Sequence, residues 1–170
     1  REFEASQFLN LPGLIIVCPS TVQDFYDMFW ASVASDKPVL FLEDKLIYRG
    51  EIEFNYIYKY IDKEGIEREK KVEKKKINVK SNLIRRPSDK PIENFGIRVA
   101  RKGADITLTA YGRLVYTCLE TAELLQEENI SVEVLDIRVF RPFDRNTLIS
   151  SVKKTGALVV VQEETIFGGT

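Results

Sequence analysis

The chain has 170 residues, 44% apolar and 30% charged, with a formal net charge of −1 and no histidine. This is the composition of an ordinary soluble globular protein; its charge offers no global field toward nucleic acid or an acidic membrane, and no apolar run approaches the ~18 residues of a membrane span. Without histidine, no Ser-His-Asp or Cys-His site can be completed within the chain, and Cys18 and Cys118 alone supply neither a zinc set nor a disulfide framework.

The two cysteines lie in apolar-periodic segments, which suits a reduced, intracellular setting, and Arg1-Glu2-Phe3-Glu4 is not a secretory signal. Gly13-Leu14-Ile15-Ile16-Val17 is a short continuous apolar run, as in a strand buried on both faces. A helix follows, with Ser20 as its expected N-cap and Gln23 completing a capping box. Val22, Phe25, Tyr26, Phe29, Trp30 and Val33 recur at helical spacing and predict one apolar stripe, read as core or subunit interface. Ser35-Asp36-Lys37-Pro38 ends the helix, and Val39-Leu40-Phe41-Leu42 is the next buried strand, parallel to the first.

Beyond residue 50 the period changes to two. Ile52, Phe54, Tyr56, Tyr58 and Tyr60 alternate with mostly polar residues, Asp62-Lys63-Glu64-Gly65 can turn the chain, and Glu67 to Lys80 is dominated by mixed charge. A β-hairpin with a solvated second arm is expected. Lys70-Lys71 and Lys74-Lys75-Lys76 form either a basic docking surface or an edge kept soluble by lysine, and the interrupting Glu67, Glu69 and Glu73 favour the second. Arg85-Arg86-Pro87-Ser88-Asp89-Lys90-Pro91 has the composition of a linker.

The last third repeats the strand–helix alternation. Strands are expected at Ile106 to Ala110, Val132 to Leu135 and Leu158 to Val161. Helices are expected at Arg113 to Glu128, apolar on the face of Leu114, Cys118 and Leu125, and at Arg145 to Lys154. Asp144 is the N-cap of the latter, Lys153 and Lys154 suit its C-terminal end, and Gly156 is its expected left-handed terminator. Units of this size bury too little surface to stand alone, so both halves are expected to need further strands.

Ligands of open parallel sheets bind beyond the carboxyl ends of the strands. Those ends carry Glu43-Asp44-Lys45, Asp136-Ile137-Arg138 and Glu163-Glu164. Paired carboxylates serve acid–base chemistry when their pKa values are driven apart, but they also commonly end strands in water. Arg138 and Arg141 lie near the start of the last helix, an arrangement that can hold an anion. Against this, Asp144 is expected to occupy that helix start and to pair with one of the arginines. Phe167-Gly168-Gly169 lacks the spacing and the lysine of a phosphate loop.

Taken in order, these segments resemble the E1 beta subunit of pyruvate and branched-chain 2-oxo-acid dehydrogenases, and more broadly the transketolase-like group. The resemblance rests on Leu11-Pro12-Gly13-Leu14 with Pro19-Ser20, Pro38 through Arg49, Gly103 through Leu108 with Tyr111-Gly112, and Glu133 through Arg138. Pro142, Asp144 and Ser151-Val152-Lys153-Lys154-Thr155-Gly156 follow. It covers Glu4 to Lys45 and Phe95 to Gly169.

The resemblance implies an α/β fold of parallel open sheets. Residues 1–49 would be the C-terminal half of a pyrimidine-binding domain, 50–94 a charged hairpin-like insert and linker, and 95–170 the N-terminal part of a transketolase C-terminal-like domain. It implies thiamine diphosphate and Mg2+ in the intact enzyme, oxidative decarboxylation of a 2-oxo acid, and acyl transfer to a lipoyl arm. The partners implied are an E1 alpha part, a second E1 beta and a lipoyl E2 core, in the cytoplasm or the mitochondrial matrix, with neither nucleic acid nor membrane.

The family's activating glutamate would lie in an N-terminal half that this chain does not include, and its active-site histidine just before Arg1. The diphosphate and its metal belong to the alpha part. No catalytic, cofactor-binding or metal-binding residue is therefore assigned within the chain, which is expected to be an inactive piece of the enzyme. Many family members hold a monovalent cation in the loop after the first helix, here Ser32, Val33, Ser35 and Lys37. Ser35 and Lys37 stand where the family has aspartate and asparagine, which argues against K+, and Lys37 Nζ is the expected replacement. The rival assignments are another transketolase-like thiamine-diphosphate enzyme, such as a deoxyxylulose phosphate synthase, and a non-catalytic assembly module of E1-beta type.

Overall fold

In the computed structural model of the chain, the residues described are 7–45, 47, 51–61, 64–78 and 88–163; for 51–61 and 70–78 the description is of the backbone alone. Tyr48, Arg49, Arg85 to Pro87, Glu164 and Phe167 to Gly169, all singled out above, lie outside them.

The first unit is β1 (Ile15–Val17), α1 (Val22–Val33) and β2 (Val39–Phe41). β1 and β2 pair in parallel, Ile16 opposite Leu40, as the apolar runs predict. The helix cap falls one residue later than expected. Thr21 is the N-cap: its Oγ1 accepts from the Asp24 N–H at 3.0 Å and donates to Asp24 Oδ2 at 2.6 Å. Ser20 is instead fully buried.

α1 also turns a different face inward. Asp24, Asp27, Met28 and Ala31, at i, i+3, i+4 and i+7, are buried. Much of the aromatic stripe points away: Phe29, Trp30 and Val33 are 46%, 47% and 63% exposed. Phe25 and Phe29 still meet Phe41 edge-on, with centroids 5.1 Å and 6.2 Å apart. Tertiary hydrogen bonds, from Arg138 to Asp24 and from the Ser88 N–H to Asp27, recruit the two acids to the inner face.

β3 (Glu51–Ile61) and β4 (Glu67–Asn78) form the expected antiparallel hairpin. Gly65 turns it with φ of +78°, a conformation costly for any residue with a Cβ. A 3-10 turn at Ile92–Asn94 then leads into β5 (Ile97–Arg101). After β5 come β6 (Ile106–Ala110), α2 (Leu114–Glu127), β7 (Val132–Ile137), β8 (Val139–Arg141), α3 (Arg145–Thr155) and β9 (Leu158–Val160).

The second sheet has the order β5-β7-β6-β9, with β7, β6 and β9 parallel and β5 antiparallel along β7. The first has the order β2-β1-β8, with β8 antiparallel to β1. Each sheet is thus a parallel core with one antiparallel strand at its edge, rather than parallel throughout. β8 also carries the chain of the second unit into the sheet of the first, and shared packing follows. Ile16 and Cys18 cluster with Leu135, Ile137 and Phe140, while Ile15, Val17 and Met28 cluster with Phe95 and Val139.

β9 forms where expected but is not enclosed: Leu158, Val159 and Val160 are 39–55% exposed on the edge of the sheet. α3 carries the predicted signals, with Asp144 at its N-cap and Gly156 ending it at φ of +77°. One close approach fixes a residue type. A Cβ on Gly103 would lie 2.1 Å from the carbonyl carbon of Val132, so only glycine fits there.

Candidate functional site

The carboxyl ends of β1, β2, β6, β7 and β9 converge, and the polar residues carried there divide into two groups. The outer group is organised by Arg113, at the N-cap of α2. Its backbone N–H donates to Asp44 Oδ2 at 3.2 Å, its Nε lies 3.7 Å from the same oxygen, and its Nη2 pairs with Glu163. Two of the predicted strand-end acids are thereby brought together by an arginine that the sequence reading passed over. Gly112, with φ of +53°, brings the backbone close: a Cβ there would lie 3.5 Å from Asp44 Oδ2 and 3.6 Å from Cys18 Sγ. Glu43 and Lys45 are exposed on either side of Asp44.

Cys18 is buried beneath this group. Burial drives its thiol far above the ordinary range, and the Asp136 and Asp44 carboxylates push the same way. It is a core thiol, not an activated nucleophile. Arg113 is raised by its bond to Glu163, against the opposing effect of burial.

The inner group lies on the seam between the sheets. Asp136, fully buried near the end of β7, accepts at Oδ2 from Ser20 Oγ (2.5 Å), Arg98 Nη2 (2.7 Å) and Arg98 Nε (3.1 Å). Arg98 Nη2 also reaches Ser20 Oγ at 3.1 Å and Asp24 Oδ2 at 3.7 Å. Arg138 Nη1 donates to Asp24 Oδ1 at 2.7 Å and its Nη2 to the Phe95 carbonyl at 2.5 Å. Tyr116 Oη donates to the Ser20 carbonyl at 2.9 Å. One alternating chain of acid and base thus ties α1, β5, β7 and the β7–β8 corner together.

Burial raises the Asp136 carboxyl above its usual value, opposed by the Arg98 charge and the Ser20 bond. Burial also lifts the Tyr116 phenol to about 12. Each buried acid is matched by an arginine, although Asp136 Oδ1 and Arg138 Nε are buried without a hydrogen-bond partner among the described residues. Their chemistry is that of a tether between sheets.

Asp144 closes the start of α3, as expected, but not with an arginine. Its carboxylate accepts from the Thr147 N–H (3.1 Å), Thr147 Oγ1 (2.6 Å) and the Ile97 N–H (3.3 Å). Burial alone would raise it; those bonds outweigh burial and hold it below the ordinary carboxylate range. Arg138 turns to Asp24, and Arg141 donates to the Leu9 carbonyl, so neither joins Asp144 in an anion site. At the end of α1, Lys37 Nζ pairs with Glu93 Oε1 at 2.9 Å, while Ser32 Oγ donates to the Met28 carbonyl.

A third polar group was invisible in the sequence. Glu133, buried in β7, accepts from Ser151 Oγ at 2.5 Å and from Lys154 Nζ, and Thr107 Oγ1 bonds Ser151 Oγ (2.8 Å) and Thr155 Oγ1 (2.7 Å). Burial pushes Glu133 up, but the Lys154 and Ser151 bonds prevail and hold it low.

These donor sets do not fit a metal-bound diphosphate. Among the described residues, no group of three or more His, Cys, Asp or Glu side chains is placed to hold a metal ion. Asp44, Glu163 and Asp136 are each engaged by an arginine. No helix among the described residues is long and apolar enough to cross a membrane.

Residues 96–170 match the family model of the transketolase C-terminal domain. The chain is 33% identical over 159 residues to the mitochondrial pyruvate dehydrogenase E1 component subunit beta of Dictyostelium discoideum, covering 94% of this chain and 37% of that protein. It is 37% identical over 152 residues to the corresponding subunit of Staphylococcus epidermidis, covering 89% and 38%. The chain therefore spans well under half the length of these relatives. Among solved structures, a split-gene transketolase described as an inactive beta4 tetramer matches with a TM-score of 0.64 at 21% identity, covering 96% of this chain and 43% of the other. A transketolase from Pichia stipitis matches with a TM-score of 0.58 at 13% identity, covering 96% and 20%; at such identities these two matches speak to fold alone. Residues 96–170 thus match the transketolase C-terminal domain, and over 89–94% of its length the chain is similar in sequence to pyruvate dehydrogenase E1 beta subunits.

Proposed function

We propose that the chain is part of the E1 beta component of a thiamine-diphosphate-dependent 2-oxo-acid dehydrogenase. The intact enzyme decarboxylates a 2-oxo acid and passes the acyl group to a lipoyl arm on E2. Bound thiamine diphosphate supplies the carbanion chemistry, and protein supplies orientation and electrostatics. The observation that carries this proposal is the similarity to E1 beta subunits over 89–94% of the chain.

Within such an enzyme this chain acts as scaffold. Among its strand-end acids, Asp44 and Glu163 are bound to Arg113 and Asp136 to Arg98, and it has no histidine for proton transfer. The cofactor, its Mg2+ and the acid–base residues come from the alpha part and from segments of beta outside these 170 residues. The working assembly joins E1 alpha, two E1 beta subunits and the E2 core, in the cytoplasm or the mitochondrial matrix. At the end of α1, the Lys37 ammonium, held by Glu93, stands in place of a K+. The unit boundaries are 1–49, 50–94 and 95–170.

The test is to co-express the complete beta subunit with its alpha partner and assay 2-oxo-acid decarboxylation that depends on thiamine diphosphate and Mg2+. Activity on pyruvate or a branched-chain 2-oxo acid is expected. Ketol transfer between sugar phosphates would assign the chain to a transketolase proper, and a stable but inert complex would make it an assembly module.

A further inference from the structure

The two faces of the second sheet are built from different chemistry. Under α2 lie Leu108, Ala110, Val132 and Val134, which cluster with Val115, Cys118 and Ala122 of the helix. Under α3 lie Thr107 and Glu133, alternate residues of the same two strands, and the helix meets them with Ser151 and Thr155. All four are buried. A helix covering a sheet ordinarily buries an apolar stripe, and buried polar groups cost stability unless bonded. Here Ser151 Oγ and Lys154 Nζ both donate to Glu133, which satisfies the carboxylate and fixes the ammonium in place.

A groove of about 470 Å3 opens beside this polar layer, between α3 and β5. Glu133 and Ser151 are its buried floor. Thr147, Ser150, Ser151 and Lys154, at i, i+3, i+4 and i+7, present one face of α3 to it. Val99, 43% exposed, and Lys102 form the opposite wall. The turn that carries Lys102 lies against β7 because Gly103 has no Cβ, and the Gly103 N–H reaches Glu133 Oε2 at 3.5 Å. Lys102, Asn146 and Ser150 spend no side-chain hydrogen bond or ion pair on other described residues. Lys154, 48% exposed, gives Glu133 one of its three donors and keeps the others.

We propose that this groove binds a small hydroxylated carboxylate. Its volume lies within the range of about 300–1,000 Å3 for small-molecule sites, but such sites are mostly apolar, whereas Val99 is the one apolar residue lining this one. The lining therefore selects a polar ligand. Two ammonium groups less the Glu133 carboxylate leave a single positive charge. That matches a carboxylate better than a phosphate monoester, which carries about −1.5 to −2 at neutral pH. Asn146, Thr147 and Ser150 supply donors and acceptors for the ligand's hydroxyls. The groove shares no residue with the Arg113 or Arg98 groups, so its ligand is independent of the thiamine-diphosphate assignment.

The probe is glycerate, titrated into the isotope-labelled chain and followed by amide chemical shifts. Acetate, glycerol and glycerol phosphate serve as comparisons that lack the hydroxyls, lack the charge or carry too much of it. Saturable shifts are expected at Lys102, Asn146, Ser150 and Lys154, with glycerate bound more tightly than any comparison. Lys102→Glu weakens it about fivefold or more. Lys153→Glu, on the same helix but outside the groove, weakens it by less than about twofold. Lys102→Gln gives a loss between the two and covers the case in which charge reversal prevents folding. Absence of saturable shifts at the groove, equal losses at Lys102 and Lys153, acetate or glycerol binding as tightly as glycerate, or tighter binding of glycerol phosphate would each overturn the proposal.

Discussion

Arg98 and Asp136 stand directly opposite one another in the antiparallel β5–β7 pair, and Arg98 Nη2 donates to Asp136 Oδ2 at 2.7 Å. The pair lies within one sheet, yet its other contacts, Ser20 and Asp24, come from the opposite unit. A cross-strand ion pair thereby fixes how the two sheets meet.

Arg98→Met strands the buried Asp136 charge. Breaking a fully buried pair costs about 3–5 kcal/mol; because Arg98 keeps 36% of its side-chain surface in water, a loss of about 2–3 kcal/mol is expected. Asp136→Leu in the same chain removes the orphaned charge and restores part of the loss. The urea midpoint measures both, and an unchanged slope attributes the shift to the native state.

Gly103→Ala and Gly156→Ala separate two reasons for glycine. At Gly156 a Cβ meets no atom within 4 Å, and only the positive φ is strained, which costs about 1–2 kcal/mol. At Gly103 the added carbon would overlap the Val132 backbone. Gly103→Ala is therefore expected to lower the urea midpoint several times more, or to leave no folded chain.

Acid stability follows from Glu133 and Asp144, both held below their ordinary values of 4.5 and 3.8. A carboxylate lowered in the folded state contributes stability that is complete above its unfolded pKa and disappears as pH falls through the folded one. The chain should lose stability below the ordinary carboxylate range. Asp144→Asn and Glu133→Gln should each reduce stability at neutral pH and flatten that acid limb, as followed by midpoints across pH.

The cysteines should be silent until the chain opens. Both are buried, and burial raises the Cys118 thiol to about 12 and Cys18 further still. An aromatic disulfide reagent at about pH 8 should label neither in the native chain and both in denaturant. Fast native labelling of Cys18 would mean that the cover formed over it by Gly112 and Asp44 is open.

The elements legible in the sequence were those with a strong period and a cap. α3 announced itself through Asp144, Lys153, Lys154 and Gly156, and the β3–β4 hairpin through its alternating tyrosines. β5 was missed because Ile97-Arg98-Val99-Ala100-Arg101 is short and basic and follows a linker-like stretch, although its alternation was a usable signal. β8 was missed for a topological reason: no local pattern tells a three-residue strand to leave its own sheet and join β1. The inward turn of α1 follows from Arg138, Ser88 and Gln23, whose hydrogen bonds make buried positions of Asp24 and Asp27. At the candidate site, Asp44, Asp136 and Glu163 were found from strand ends alone, whereas their partners Arg113 and Arg98 come from distant parts of the chain.

The most direct test of the central claim is calorimetry of thiamine diphosphate with Mg2+ added to this chain, and then to complete beta with its alpha partner. The account predicts no binding heat from the chain and saturable binding by the assembled enzyme. Tight binding by the 170 residues alone would contradict it, and would require a cofactor site built from the strand ends around Asp44, Asp136 and Glu163.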